Sequence, residues 1–236
     1  MIKLNITPFH FWLPLISRFL PWNIFIVLLT LQKIIPFYLI FLIKINNFLI
    51  IHLILILSSI IPPLSCINIS NLKIIIAYSS INQSRWIILI IYTKILSWLI
   101  YFTFYSITLI SLIFIFNFFK ISKNFSIKFL NNKLNLNLIL ILILFNIAGL
   151  PPFSFFFIKW YSIFIFIKLN KLFSIILIII IRSLFILFIY SNILYHSLFL
   201  FKFESKLIKP IINKNYNPIY FYLILPLSIS IIILII

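Results

Sequence analysis

Long apolar runs alternate with short polar breaks along almost the whole chain, and each run is close to the ~20 residues that cross a bilayer as a helix. The runs predict helices over 22–43, 45–61, 72–92, 95–118, 137–168, 171–195 and 219–236. That makes about seven crossings, preceded by a partial helix. The run over 137–168 is too long for one simple crossing and carries Gly149-Leu150-Pro151-Pro152 near its middle, which predicts a broken helix around 149–152. Only 120–133 and 196–218 are extended polar stretches, and neither is long or varied enough to fold separately. The expectation is an all-α polytopic membrane protein built as a single integral domain over 1–236.

Composition removes the competing classes. At 65% hydrophobic and 8% charged residues, with a mean hydropathy of +1.30, the chain is far from a soluble domain. A single glycine, and the lack of polar/apolar alternation, exclude a turn-rich β-barrel. The balance of 19 Lys+Arg against 1 Asp+Glu gives +18, which in a soluble protein would point to nucleic acid. Here the basic residues fall in the breaks, where the positive-inside rule accounts for them, so no nucleic-acid partner is implied. The abundance of Ile, Phe, Lys, Asn and Tyr, all with AT-rich codons, points to an organelle genome. One cysteine, Cys66, excludes an internal disulfide, and no Cys or His spacing matches a metal or haem site. Residues 1–11 lack the features of a signal peptide and instead place Lys3, Pro8 and His10 among apolar residues, as inside a working membrane helix.

Sorting the loop charges puts Arg18, Lys73 and the eight lysines of 120–133 and 196–218 on one face, against Lys44, Lys94, Lys168 and Lys171 on the other. The richer face belongs in the cytoplasm or mitochondrial matrix, with the C-terminus opposite. Lys3, Lys33, Arg85, Lys159 and Arg182 remain. A charge at mid-bilayer costs at least ~2.5–3.5 kcal/mol, so such residues face a bundle interior or a hydrated path. Lys33 sits at the centre of its helix, one turn before Pro36, and Lys159 follows the Pro151-Pro152 break by two turns, where freed carbonyls and water are within reach. Arg182 lies nearer a helix end and reads as a snorkelling side chain. Arg85 closes the polar stretch 79–85, which serves either helix packing or a proton path. The only acid, Glu204, stands in a basic loop. Either the deep lysines spend much of their time neutral, or another polypeptide brings a carboxylate.

Four runs carry a family resemblance: Lys3-Leu4-Asn5-Ile6-Thr7-Pro8-Phe9-His10-Phe11-Trp12-Leu13-Pro14, Leu29 through Pro36, Ala77-Tyr78-Ser79-Ser80-Ile81, and Gly149-Leu150-Pro151-Pro152 through Lys159-Trp160. In order and spacing they resemble subunit 2 of NADH:ubiquinone oxidoreductase, respiratory complex I, from residue 1 to about residue 195. The last helix matches in hydropathy only. The resemblance implies an antiporter-like inverted-repeat fold, with 1–43 ending a first repeat, 45–195 forming a second, and 219–236 as the last helix. It implies a proton relay in which Lys3 and Lys159 are the lysines of two broken helices and Lys33 connects them. It also implies that no cofactor is bound in this chain, since NADH, flavin, iron-sulfur clusters and ubiquinone are held by other subunits. The location implied is the mitochondrial inner membrane, with the C-terminus on the intermembrane-space side.

In the family a glutamate on an earlier helix pairs with the lysine at Lys3, and that helix is not in this sequence. A separately encoded N-terminal part of subunit 2 is therefore an expected partner, beside other membrane-arm subunits and lipid. The sequence departs from the family at Leu15 and Phe19, where an acidic residue and a glycine are usual, and at Gln83 and Arg85, where histidine and glycine are usual. His10 either lends an imidazole near Lys3 or hydrogen-bonds backbone at the helix break. His52, near a helix end, and His196, in a loop, read as interfacial. Three other classes fit less well. A stand-alone cation/proton antiporter would need an acidic ion site, a structural piece would not keep buried lysines, and a permease would show other motifs.

Overall fold

The computed structural model describes residues 2–43, 48–67, 69–92, 97–118, 134–151, 153–168 and 173–198. A 3-10 turn, Ile2–Leu4, precedes helices α1 (Trp12–Ser17), α2 (Trp22–Leu29), α3 (Leu31–Ile43), α4 (Phe48–Cys66), α5 (Leu72–Tyr92), α6 (Ser97–Phe118), α7 (Leu134–Ala148), α8 (Ser154–Lys168) and α9 (Phe173–Leu198). Three stretches are long and apolar enough to cross a membrane by length and composition: Trp22–Ile43, Leu72–Tyr92 and Ser97–Phe118. The helix expected over 219–236, the basic stretch 120–133 and Glu204 lie outside the described residues.

The helix over 72–92 is found at the expected bounds, and its neighbours differ in instructive ways. The run 22–43 is interrupted at Thr30, whose backbone (φ −112°, ψ −78°) leaves the helix and whose hydroxyl donates to Ile26 O at 2.8 Å. A hydroxyl that bonds the previous turn competes with the backbone ladder, so α3 restarts two to three residues before Lys33. Helix α4 continues through Pro62 and Pro63 to Cys66, beyond the expected stop at 61. Each proline removes a donor, but packing against α5 and α9 holds the segment, and neighbours routinely compensate prolines in membrane helices. Helix α9 runs to Leu198, so His196 lies in its last turn rather than in a loop.

Helix α5 is the centre of the molecule, touching α1, α3, α4 and α6. An 18-residue stretch of it is 94% buried, against 22% for Trp22–Ile43. Yet α5 carries the polar run Ser79, Ser80, Asn82, Gln83, Ser84 and Arg85, all buried. In lipid the polar helix belongs inside and the uniformly apolar ones outside, because only protein offers hydrogen-bond partners at that depth. Around it, α6 packs on α2, α7 and α8, and α9 closes the bundle against α4, α7 and α8.

Candidate functional site

Two interruptions and the central helix build the site. At the end of α7, Gly149 takes φ +83°, a left-handed conformation that disfavours any side chain. Its N–H bonds Asn146 O at 2.9 Å, and Leu150 N–H reaches Phe145 O at 3.3 Å, which together form a Schellman cap. The cap leaves the last carbonyls, Ile147 O and Ala148 O, without intrahelical donors. Side chains from other elements take them: Gln83 Nε2 donates to Ile147 O at 3.2 Å and Lys159 Nζ to Ala148 O at 2.9 Å. Asn146 crosses the break to cap α8, its Oδ1 accepting from Phe155 N–H at 3.3 Å and Ser154 Oγ at 3.2 Å. Both helix ends at the break are thus capped by side chains, although glycine and proline occupy its middle.

Lys159 stands on α8, 8% exposed, and folds back toward the helix N-terminus, the direction in which helical side chains lean. Its amine occupies space that Gly149 leaves open, since a Cβ on Gly149 would lie 2.7 Å from Lys159 Nζ. Lys33, on α3 and 1% exposed, donates to Ser80 Oγ at 3.2 Å and Ser80 O at 3.4 Å. Lys159 Nζ lies 6.0 Å from the centroid of the Trp86 ring. Both amines therefore meet α5, at Ser80 and Trp86, six residues or about 9 Å apart along the helix axis. Between those positions lie Asn82, Gln83, Ser84 and Arg85, and Tyr101 on α6 donates its hydroxyl to Gln83 Oε1 at 2.5 Å. Among the described residues no carboxylate faces these cations.

Lys3 is not brought into this cluster. It sits exposed on the 3-10 turn, which packs on α3, and Trp12 Nε1 ties that turn by donating to Ile2 O at 3.2 Å. Asn5 next to it takes φ +60°. His10 is fully buried, with Nδ1 3.2 Å from Pro8 O and its ring 6.4 Å from that of Tyr78, while its Nε2 has no partner. Arg85 is likewise fully buried. Arg182 lies in α9 and His52 in α4, and their side chains are outside the described set.

Sequence reasoning placed freed carbonyls within reach of Lys159 but did not name Ala148 O as its acceptor, Ser80 as the partner of Lys33, or the supporting bonds made by Tyr101 and Asn146. Asn146 carries a readable signal, a lone polar residue three places before the glycine of a predicted break. Tyr101 carries none.

The family model described as NADH:quinone oxidoreductase/Mrp antiporter, transmembrane, matches residues 1–201. The chain belongs to that family. Its relatives include NADH-ubiquinone oxidoreductase chain 2 of Anopheles gambiae, 32% identical over 92% of this chain and 62% of that protein. Chain 2 of Aedes aegypti is 36% identical over 73% of this chain and 50% of its own length. This family member thus spans half to two thirds of these relatives. In fold it is similar to a chain of respiratory complex I from Thermus thermophilus, with TM-score 0.79 and 18% identity over 97% of this chain and 54% of that one. It is also similar to a chain of the archaeal membrane-bound sulfane sulfur reductase (TM-score 0.83, 16% identity, 98% of this chain and 50% of that one). The Mrp complex of Dietzia gives TM-score 0.69 at 16% identity over 83% of this chain and 39% of its counterpart. The antiporter-like class of fold expected from the sequence is what these likenesses share.

Proposed function

We propose that the chain acts as the proton-translocating subunit 2 of the membrane arm of NADH:ubiquinone oxidoreductase in the mitochondrial inner membrane. One observation carries the reading: two lysines are buried with no carboxylate partner among the described residues, Lys33 bonded to Ser80 at one end of the polar segment of α5 and Lys159, bonded to Ala148 O, 6.0 Å from the Trp86 ring at the other. Amines held by a hydroxyl and a free carbonyl can exchange protons with water, and charges this deep are kept for transport rather than for stability. Lys33 passes protons between Lys3 and Lys159, and His10, with Nδ1 at Pro8 O and Nε2 unpartnered, serves as a further acceptor.

In this reading 1–43 closes a first repeat, 45–195 is the second and 219–236 is the last helix. The basic face lies in the matrix and the C-terminus in the intermembrane space. NADH, flavin, iron-sulfur clusters and ubiquinone are bound by other subunits, and a glutamate from a neighbouring polypeptide faces Lys3.

Lys159→Met is the direct test, because it keeps the length of the side chain and removes the exchangeable proton. Protons moved per NADH oxidised are expected to fall in the assembled complex, and an undiminished ratio would remove Lys159 from the relay. A native gel of gently solubilised membrane decides the assembly. The chain is expected in the band active for NADH oxidation, together with a polypeptide bearing the glutamate. Finding it only in inactive bands would favour a stand-alone antiporter.

A further inference from the structure

Among the described residues, Arg85 is the one buried charge that the relay leaves unused. It sits in the middle of α5 with no exposed surface, and none of Nε, Nη1 and Nη2 has a hydrogen-bond partner. A guanidinium carries five donors in a fixed fork, so an arginine kept for packing is normally bonded to carbonyls or hydroxyls. Its Cζ instead lies 5.8 Å from the centroid of the Trp86 ring. Lys159 Nζ lies 6.0 Å from the same centroid, held there by Ala148 O. Two cations thus share one indole, and among the described residues no acid neutralises either. Tyr101 and Gln83 bond each other and Ile147 O, and neither bonds the guanidinium.

Arginine keeps its proton in proteins, whereas lysine gives one up, so the two play different electrostatic roles. The repulsion between them exists only while Lys159 is charged, and it is strong in a medium poor in water. We propose that Arg85 is a positioning charge that repels the proton on Lys159 across Trp86 and drives its release from the helix break. The proposal rests on the relay reading of Lys159. It assigns a role to a residue at which the sequence departs from the glycine of the family pattern.

The test compares Lys159→Met, Arg85→Gln, Arg85→Gly and Arg85→Lys in the assembled complex, reading protons moved per NADH oxidised together with band intensity on native gels. The expected result is loss of pumping in Arg85→Gln and Arg85→Gly to the level of Lys159→Met, with normal assembly, and partial retention in Arg85→Lys, whose amine supplies the charge only while it holds its own proton. Normal pumping in Lys159→Met would instead overturn the relay reading itself. Loss in Lys159→Met with full pumping in Arg85→Gln would overturn the Arg85 proposal alone and leave the arginine as packing. Assembly failing in both uncharged variants but not in Arg85→Lys would assign the charge to folding and overturn it as well.

Discussion

Lys33 meets α5 through a single residue. Its amine donates to both the hydroxyl and the carbonyl of Ser80, and that hydroxyl in turn donates to Ala77 O at 2.7 Å. A hydrogen bond to a charged group contributes about 1.5–3 kcal/mol, so removing the hydroxyl weakens the seat of the amine without vacating it. Ser80→Ala is therefore expected to slow NADH-driven proton uptake partially in membrane vesicles, and Lys33→Met to abolish the contribution of this module. Equal rates for Ser80→Ala and the unaltered protein would remove the hydroxyl from the path. The lysines and Arg85 were readable at this scale because a charge inside an apolar run has no cheap structural explanation. Their partners were not readable in the same way. The break announced freed carbonyls near Lys159 but not which one the amine takes, and Tyr101, which supports the site through Gln83, is one of 11 tyrosines in a chain where 19% of residues are aromatic. The exposure of Lys3 was hidden for a different reason, since it depends on what packs against the chain.

At the scale of elements the break between α7 and α8 joins local backbone chemistry to the position of an amine. Gly-Leu-Pro-Pro foretold it, because glycine ends a helix in the left-handed region and proline cannot continue one. The interruption at Thr30 was not foretold because one threonine in an apolar run is a weak local signal, and the passage of α4 through Pro62 and Pro63 was not because packing there overrides the local preference. Gly149→Ala probes the coupling. A left-handed alanine costs about 1–2 kcal/mol, and its Cβ would press on Lys159 Nζ at 2.7 Å, displacing the flexible amine from Ala148 O. The expected outcome is an assembled complex with slightly lower thermal stability and clearly reduced proton pumping. Thermal scans and vesicle assays separate the two effects. Pumping left intact would mean that the amine does not need the α7 carbonyl.

For the whole molecule, where polarity lies distinguishes faces that meet lipid from faces that meet protein. The outer sides of α2 and α3 expose Ile24, Val27, Ile35 and Leu39, and the polar groups exposed among them, Asn23, Gln32 and Tyr38, are uncharged, which lipid and its headgroups satisfy. The surface formed by 2–20 is different: Phe9, Phe11, Leu15 and Phe19 are exposed, Phe19 by 87%, next to the exposed Lys3 and to irregular backbone over residues 5–11. Irregular backbone and a cation are not left against hydrocarbon, because each unsatisfied group there costs several kcal/mol. In the proposed function a protein face covers this surface and carries the carboxylate opposite Lys3. A photoreactive phenylalanine analogue placed at Phe11 or Phe19 reads the neighbour directly. Irradiation of the intact membrane is expected to join the chain to a helical membrane-arm polypeptide with an acidic residue near the attachment point, while the same analogue at Ile35 joins it to lipid. Lipid adducts at Phe11 and Phe19 as well would leave Lys3 without a protein partner, and the relay would then have to begin at Lys33.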